Sequence, residues 1–459
     1  MPPPSGGQVQ DRHPTGAKGT RASVAAIIAL TAAVIAVALR WYFVTHAQVL
    51  QPLDSPNVRA DAAEYYRYAW NLIHHGVFSS SIPGTPAPSP DSFRDPGYPI
   101  FLALWMVVFP TYEAWYAAVL LSQAVLGGIL VVCLVFAMRH ALPAWILGAM
   151  AALAAAWPHG VAMTAYVLSE NLTAVMSVAV LLAIQAMARR PAAWRCVISG
   201  LTLAAAGLTN AVLAPLFVPI AIALAWKRVI PLRGIAILVI AACLPLGGWA
   251  LRNAAVASNA SSTGRAEQNF VQGSWPIYHD AYQLSTHNDP DGLRAMREID
   301  GETRLLHADT AAGLDSMWDR IGKQPWMYVR WYVQKPALLW GWNIRVGQGD
   351  IYVYPTRNSP YMDTPSFKAM ENTAFLLNPI LAILALAGTA IACTRRDAPA
   401  AILGAGVVAA WVTFVYGVLQ SEPRYAIPYR GLEIALACFA VACASGWVRK
   451  RLPARALHR

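Results

Sequence analysis

The chain has 459 residues, of which 57% are hydrophobic and only 13% are charged, and its mean hydropathy is +0.42. Soluble globular domains carry about 25% charged residues, so the composition excludes an ordinary soluble protein and favours a polytopic membrane protein. The formal net charge of +11 does not indicate a nucleic-acid partner, because Lys and Arg cluster at the ends of apolar runs, as membrane anchoring predicts.

About ten apolar runs are long enough, or nearly so, to span a bilayer as helices. The predicted spans are 23–44, 114–138, 144–157, 172–188, 195–209, 211–226, 231–251, 374–393, 400–419 and 426–447. A further run at 97–109 is short and bounded by prolines. It predicts either an eleventh span or a helix that lies in the membrane interface.

The positive-inside rule decides between these two alternatives. If 97–109 does not cross, the basic clusters that follow the spans all fall on the side of the basic N-terminal tail. These clusters are at 139, 189–195, 227–233, 395–396 and 449–451. We therefore predict ten spans with both termini in the cytoplasm. The Ala-rich composition, without a retention signal, favours a bacterial inner membrane.

This topology divides the chain into five parts. They are a basic cytoplasmic tail (1–22), a membrane module (23–251) that includes an outer loop (45–96), a large outer loop (252–373), C-terminal spans (374–447) and a basic tail (448–459).

The first outer loop opens with a predicted helix from Val58 to His75, closed by Gly76 at the position that favours a left-handed residue. Asp61 lies at its start and shares a face with Glu64 and Tyr65. An acid at a helix start is stabilised by the helix dipole, so a capping acid is the alternative to a general base. The surrounding tyrosines and the position outside a span favour the general base.

Glu170 follows Ser169 where a span begins on the outer side, so both acids are predicted on one face of the membrane. Glu170 is also either a helix-start acid or a functional one. His159 lies nearby in the sequence. Asp61, Glu170 and His159 are candidate ligands for a divalent metal if the fold brings them together, although a lone histidine is more often structural.

Arg252 and Arg424 lie at the outer ends of spans, where the positive-inside rule does not explain them. A guanidinium offers bidentate donors to phosphate. We therefore predict that Arg252, Arg424 and the adjacent Tyr425 contact a lipid phosphate. A pair with Glu422, or contact with ordinary headgroups, is the alternative.

The large outer loop is predicted to be irregular and polar from Asn253 to Ile299. Apolar residues then recur at helical spacing between 314 and 321. The segment 325–342 is rich in Trp and Tyr, which suits the lipid headgroup level. We expect interfacial helices in this region.

The order and common side of these motifs resemble the GT-C superfamily of integral-membrane glycosyltransferases. The similar branch contains the protein O-mannosyltransferases and the lipid A aminoarabinose transferase. The motifs are Asp61-x-x-x-Tyr65, Asp95-Pro-Gly-Tyr-Pro99, Ser169-Glu170, Trp249-Ala-Leu-Arg-Asn253 and Glu422-Pro-Arg-Tyr425. The resemblance covers about residues 20 to 447.

The resemblance implies an all-α bundle of about ten transmembrane helices and a sugar transferase that acts on the outer face. The implied donor is a polyprenyl-phosphate sugar, and the acceptor is a hydroxyl or phosphate of a glycan, lipid or protein. Asp61 and Glu170 match the catalytic acids, and Arg252 and Arg424 match contacts to the donor phosphate. The expected donor or acceptor pocket consists of Glu64, Tyr65, Arg94, Asp95 and Tyr98.

The resemblance also allows a divalent metal, whose identity the sequence does not give. Many relatives carry a second acid directly after the first one. Here Ala62 follows Asp61, and the next acid is Glu64.

Two other classes stay open. A transporter or flippase of lipid-linked sugars would also be polytopic, but the sequence shows no internal repeat, and the acids lie at helix mouths instead of near the midplane. A polysaccharide polymerase or ligase would share the lipid-linked donor. Release of a diphosphate product would indicate that class.

Overall fold

The computed structural model describes residues 16–55, 60–256, 260–342 and 354–446, without the side chains of 16–21. Most of the predicted N-terminal tail, the whole C-terminal tail at 448–459 and the predicted helix start at Val58 lie outside these ranges.

The described chain is helical over most of its length. In order, the α-helices are α1 (Gly16–His46), α2 (Asp61–His75), α3 (Gly97–Val108), α4 (Tyr112–Met138), α5 (Ala144–Ala156), α6 (Pro158–Ala162), α7 (Glu170–Arg189), α8 (Ala193–Thr209), α9 (Phe217–Trp226), α10 (Leu232–Ala254), α11 (Ser262–Gly273), α12 (Tyr278–Thr286), α13 (Pro290–Ala308), α14 (Thr310–Lys323), α15 (Pro325–Leu339), α16 (Pro360–Asp363), α17 (Pro365–Thr394), α18 (Ala400–Val418), α19 (Pro423–Ala426) and α20 (Arg430–Ala444). Short 3-10 turns occupy Met163–Ala165, Ala211–Leu216 and Ile427–Tyr429. Strand β1 (Gln48–Val49) pairs antiparallel with β2 (Thr356–Arg357).

Among the described residues, seven helical segments are long and apolar enough to cross a membrane. They are Ala22–His46 of α1, α4, α7, α10, α17, α18 and the continuous segment Pro423–Ala444. Helix α5 and the following Pro158–Ala165, bent by 46°, form an eighth if they are one span. The chain is therefore an all-α polytopic membrane protein, as the composition predicts.

Three apolar helices are shorter than these spans: α3, α8 and Ala211–Trp226. The last two were predicted to cross, so the expected total of ten spans depends on them. Helix α3 has 12 residues, about 18 Å at 1.5 Å per residue, against a hydrocarbon core of about 30 Å. By its length, α3 suits the interface better than a full crossing.

Small residues allow close backbone contacts between the membrane helices. A Cβ at Gly388 in α17 would lie 2.1 Å from the carbonyl oxygen of Leu436 in α20. A Cβ at Gly200 in α8 would lie 2.3 Å from that of Leu238 in α10. Lipid tails are as apolar as the helices, so close backbone packing of this kind takes the place of a hydrophobic driving force.

The first outer loop packs as a layer on the membrane module. Helix α2 ends where predicted, because Gly76 adopts a φ of 65° and donates its N–H to the carbonyl of Leu72 at 3.2 Å. Apolar residues of α2, α3, the start of α4 and the segment before α7 share one buried cluster that includes Tyr66, Trp115 and Leu168. This cluster fixes the N-terminus of α2 beside that of α7.

The expectation of an irregular chain from Asn253 to Ile299 is wrong. Helices α11 and α12 and most of α13 occupy that stretch and pack with α14 around a small apolar core. Helices α11 and α13 begin with side-chain caps: the Ser261 hydroxyl accepts the N–H of Gly264 at 3.0 Å, and the Asp289 carboxylate accepts the N–H groups of Asp291 and Gly292. Helices α11 and α12 have only 12 and 9 residues, and the longer α13 is polar, so apolar periodicity does not reveal them.

A buried lysine joins this outer-loop module to the membrane helices. Lys335 in α15 is fully buried and donates to the carbonyls of Gly273 at 2.8 Å and Leu419 at 2.6 Å. Leu419 directly precedes the segment that leads to α19. The module is thereby held at the outer end of α18.

We expect Gly388→Ala to lower the Tm of the purified protein, because the added methyl group must displace the α20 backbone. Gly247→Ala is the control, since nothing lies within 4 Å of a Cβ at Gly247. Thermal unfolding followed by tryptophan fluorescence measures both. Equal Tm values for the two variants would contradict the proposed α17–α20 contact.

Candidate active site

Five charged side chains form one continuous series of ion pairs at a single end of the helix bundle. Arg94 contacts Glu64 at 2.6 Å and Asp61 at 2.6 Å. Arg424 contacts the other oxygen of Asp61 at 2.6 Å and Glu170 at 2.7 Å. We call this series, Glu64–Arg94–Asp61–Arg424–Glu170, the ion-pair chain. It confirms that the two predicted acids share one side of the molecule.

Four separate segments supply these residues. Asp61 and Glu64 lie in the first turn of α2, Arg94 lies in the loop before α3, Glu170 begins α7, and Arg424 lies in α19. The N-terminal dipoles of α2 and α7 favour acids there. The oxygens of Asp61 and Glu170 nevertheless accept from arginines, so these acids do more than begin helices.

Exposure increases from Glu170 towards Asp61. The side chains of Glu170 and Arg424 are 9% and 12% exposed, whereas that of Asp61 is 33% exposed. Asp61 is therefore the member of the ion-pair chain that a substrate reaches most easily.

The two arginines control the charge of Asp61. Burial acts to raise the pKa of Asp61, but Arg94 and Arg424 outweigh it and hold this pKa well below its usual range. Burial likewise acts to lower the pKa of Arg94, but Asp61 and Glu64 raise it well above normal. Asp61 is thus ionised, with both oxygens engaged.

Two of the predicted pocket tyrosines support the ion-pair chain. Tyr65 donates to the hydroxyl of Ser169 at 3.3 Å, and the Arg94 guanidinium lies 5.1 Å from the centre of its ring. The ring of Tyr98 meets that of Tyr65 edge-on at 5.1 Å, and its hydroxyl donates to Gln123 at 3.0 Å. Tyr98 is fully buried, so it supports Tyr65 from behind.

The structure adds a residue that the sequence did not reveal. The N–H of Ala62 donates to the hydroxyl of Tyr354 at 3.1 Å. Tyr354 precedes β2, which pairs with β1. This strand pairing places Tyr354 at the N-terminus of α2, next to Asp61. Because this contact joins residues that are distant in the sequence, no local sequence pattern predicts it.

Arg252 and Asp95 lie apart from the ion-pair chain. Arg252 donates to the carbonyls of Asp91 and Phe78, the latter at 3.2 Å. Asp95 accepts from Arg265 at 2.9 Å and from the N–H of Ala211 at 3.0 Å. Both residues hold the first outer loop in shape, and Arg94 is the arginine of that loop that lies beside Asp61.

Tyr425 follows Arg424 in the sequence, but its side chain contacts residues outside the ion-pair chain. Its hydroxyl donates to Gln420 at 3.1 Å, and its ring stacks on Tyr416 at 4.9 Å. Tyr425 thereby orients the α19 segment that carries Arg424.

The predicted metal set of Asp61, Glu170 and His159 is not assembled. Arg424 bridges the two acids, and His159 is buried with its ring 4.3 Å from that of Trp342. Across residues 16–55, 60–256, 260–342 and 354–446, no group of three or more His, Cys, Asp and Glu residues is arranged to hold a metal. The donors present do not fit a divalent cation, because a guanidinium lies where the cation would bind.

A histidine joins the large outer loop to the segment that carries Arg424. His279 in α12 contacts Glu422 through Nδ1 at 2.9 Å and the carbonyl of Ser421 through Nε2 at 3.2 Å. Burial acts to lower the pKa of His279, but these two acceptors raise it above its usual value. Glu422 therefore pairs with a histidine of the large outer loop, and Arg424 pairs with Asp61 and Glu170.

No protein-family model and no curated protein sequence matches the chain. Solved structures of the oligosaccharyltransferase of Archaeoglobus fulgidus resemble it. AglB in complex with an inhibitory peptide and a dolichol-phosphate is 16% identical with a TM-score of 0.47, covering 95% of this chain and 52% of that one. The complex with Zn and sulfate is 14% identical with a TM-score of 0.49, covering 92% and 50%. The form tethered to an acceptor peptide with the NVT sequon is 14% identical with a TM-score of 0.46, covering 94% and 50%.

The chain thus spans about half the length of these structures. Similarity at this level assigns neither a family nor an activity to the chain.

We expect Arg424→Met to destabilise the protein strongly, because it leaves Asp61 and Glu170 without their shared counterion. Loss of one partner from a fully buried pair costs about 3 to 5 kcal/mol, and the partial exposure of Asp61 reduces that figure. Arg294→Met is the control, since Arg294 makes an exposed pair with Asp291 that contributes about 0 to 1 kcal/mol. If both variants unfold at the same denaturant concentration, Arg424 does not have the bridging role.

The contact of His279 with Glu422 should weaken as the pH rises. The folded-state pKa of His279 is raised, so its stabilising effect is complete below the unfolded pKa of about 6.5 and is lost as the pH passes the folded pKa. The rate of amide hydrogen exchange in α12, corrected for the intrinsic rate, should therefore increase as the pH rises from the unfolded pKa through the folded pKa of His279. His279→Gln should abolish this pH dependence of exchange, and His287→Gln should keep it. If the pH dependence survives in His279→Gln, His279 is not the group that causes it.

Proposed function

We propose that the chain is a GT-C membrane glycosyltransferase that transfers a sugar from a polyprenyl-phosphate donor to a hydroxyl or phosphate acceptor. The acceptor is a glycan, lipid or protein of the cell envelope, and the reaction takes place on the outer face of the bacterial inner membrane. The observation that carries this proposal is the placement of Asp61, accessible and ionised, between two arginines at one end of an apolar helix bundle. The ordered motifs that resemble the GT-C superfamily support it.

The proposed reaction uses a base and a cation side by side. Asp61 takes the proton from the acceptor hydroxyl as that oxygen bonds to the anomeric carbon. The bond from this carbon to the phosphate oxygen breaks, and the phosphate leaves with its electron pair. An adjacent guanidinium stabilises the charge on the leaving phosphate. The ion-pair chain supplies both groups within one contact of each other.

Asp61 is a poor base in the structure as it stands, since Arg94 and Arg424 hold its pKa low. A donor phosphate competes for the same guanidinium groups. Once the phosphate draws one arginine away, an oxygen of Asp61 is released and its proton affinity rises. Donor binding thus activates the base, which favours binding of the donor before the acceptor.

The other members of the ion-pair chain keep the two arginines in position. Glu170 holds Arg424 from the buried side, and Glu64 holds Arg94. We assign Arg424 and Arg94 as the phosphate contacts, and Arg252 to shaping the outer loop that surrounds them. Tyr65 lies against Arg94 and Ser169, where it lines the acceptor side.

Asp61→Asn should reduce transfer by about 10² to 10⁴, the usual contribution of a general base, while the protein still folds and inserts. Transfer is measured from a short-chain polyprenyl-phosphate sugar to a cell-envelope fraction. Asp291→Asn is the matched control, because Asp291 is exposed on α13 and distant in sequence from the ion-pair chain. Full transfer by Asp61→Asn would remove Asp61 from the mechanism.

A further inference from the structure

Arg40 is a charged residue within the apolar transmembrane helix α1, six residues before the helix ends at His46. It is only 3% exposed, and its guanidinium donates to the carbonyls of Ala36 at 3.1 Å and Ala155 at 2.9 Å. Among the described residues no carboxylate pairs with it. An arginine within a membrane span is costly unless it pairs or faces a cavity, so its position requires a cause.

The surrounding helices are shaped to accept Arg40. A Cβ at Gly127 in α4 would lie 2.1 Å from its Nε, and a Cβ at Gly160 in α6 would lie 3.3 Å from its Nη2. Glycine at both positions gives the guanidinium its room. Beside it lies a cavity of about 30 Å³ between α1, α4, α7 and α20.

Four buried polar atoms that lack a hydrogen-bond partner belong to side chains lining this cavity. They are Nε of Arg40, Nε1 of Trp157, Oε2 of Glu170 and Nε of Arg430. Each of these residues is at least nine-tenths buried. Unsatisfied buried polar groups are rare in proteins and call for an explanation.

Charge provides a second, independent observation. The ion-pair chain contains three carboxylates and two guanidiniums, so it carries one uncompensated negative charge. Its buried end is Glu170, whose free oxygen borders the cavity that Arg40 also lines. Arg40 balances that charge from the far side of the cavity.

We infer that this cavity is an internal water site. Ordered water in it joins Oε2 of Glu170 to the guanidinium of Arg40. Arg40 is thereby the counterion of the ion-pair chain. A cavity holds one water when it offers about 10 to 15 Å³ and two to four polar partners. This one has a volume of about 30 Å³ and four such atoms. A water accepts from the arginine and indole N–H groups and donates to the carboxylate. Arg40 is thus a positioning residue that keeps Glu170 turned towards Arg424.

Any consequence for sugar transfer rests on the proposed function, whereas the charge coupling can be measured without transfer. Arg40→Met and Glu170→Gln each leave one buried charge unbalanced, so each should lower the Tm. The double variant restores neutrality and should lose less Tm than the sum of the two single losses. Strictly additive losses overturn the inference.

Arg320→Met combined with Glu170→Gln is the control, because Arg320 is paired with Glu302 in the outer-loop module. This pair of substitutions should be additive. Arg40→Lys keeps the charge and should lose less Tm than Arg40→Met.

A second measurement applies even if Arg40→Met does not fold. An experimental map of the wild-type protein that resolves other buried waters should show density between Glu170 and Arg40. An empty cavity in such a map overturns the inference.

Discussion

Arg424 makes the contact on which the arrangement of the site depends. Its guanidinium joins Asp61 from the first outer loop to Glu170 at the start of α7. Without a shared cation, two carboxylates this close would repel each other, and burial would favour protonation of one. The bridge therefore defines the distance between the loop and the membrane helices, and it keeps Asp61 ionised.

Other contacts converge on the short segment that carries Arg424. Lys335 holds the carbonyl of Leu419, Tyr425 contacts Gln420, and His279 contacts Glu422. Two of these partners come from the large outer loop, so that loop and the ion-pair chain are mechanically linked. The charges of Asp61 and Glu422 also raise the pKa of Tyr282 in α12, second to burial. The large outer loop therefore helps to orient the segment that carries Arg424.

The sequence singled out members of the ion-pair chain, but it did not reveal their contacts. Asp61, Glu170 and Arg424 were identified because charge near apolar runs is costly, and that rule requires no knowledge of contacts. The same rule also covers Arg40, an isolated charged residue in an apolar run, but Arg40 was not among the predicted site residues. The predicted metal set is not assembled, because the sequence proximity of His159 to Glu170 does not reveal Arg424, which lies 254 residues further along the chain and bridges the two acids. Tyr354 and the capped helices of the outer loop depend on tertiary contacts or on patterns too short for periodicity.

The central claim is that the ion-pair chain transfers a sugar away from a lipid monophosphate. Its most direct test is mass spectrometry of the lipid product after purified protein in nanodiscs meets a short-chain polyprenyl-phosphate sugar and a cell-envelope fraction. We predict sugar on an acceptor together with free polyprenyl monophosphate. A polyprenyl diphosphate product, or an unmodified sugar lipid found only on the opposite leaflet, would contradict the account.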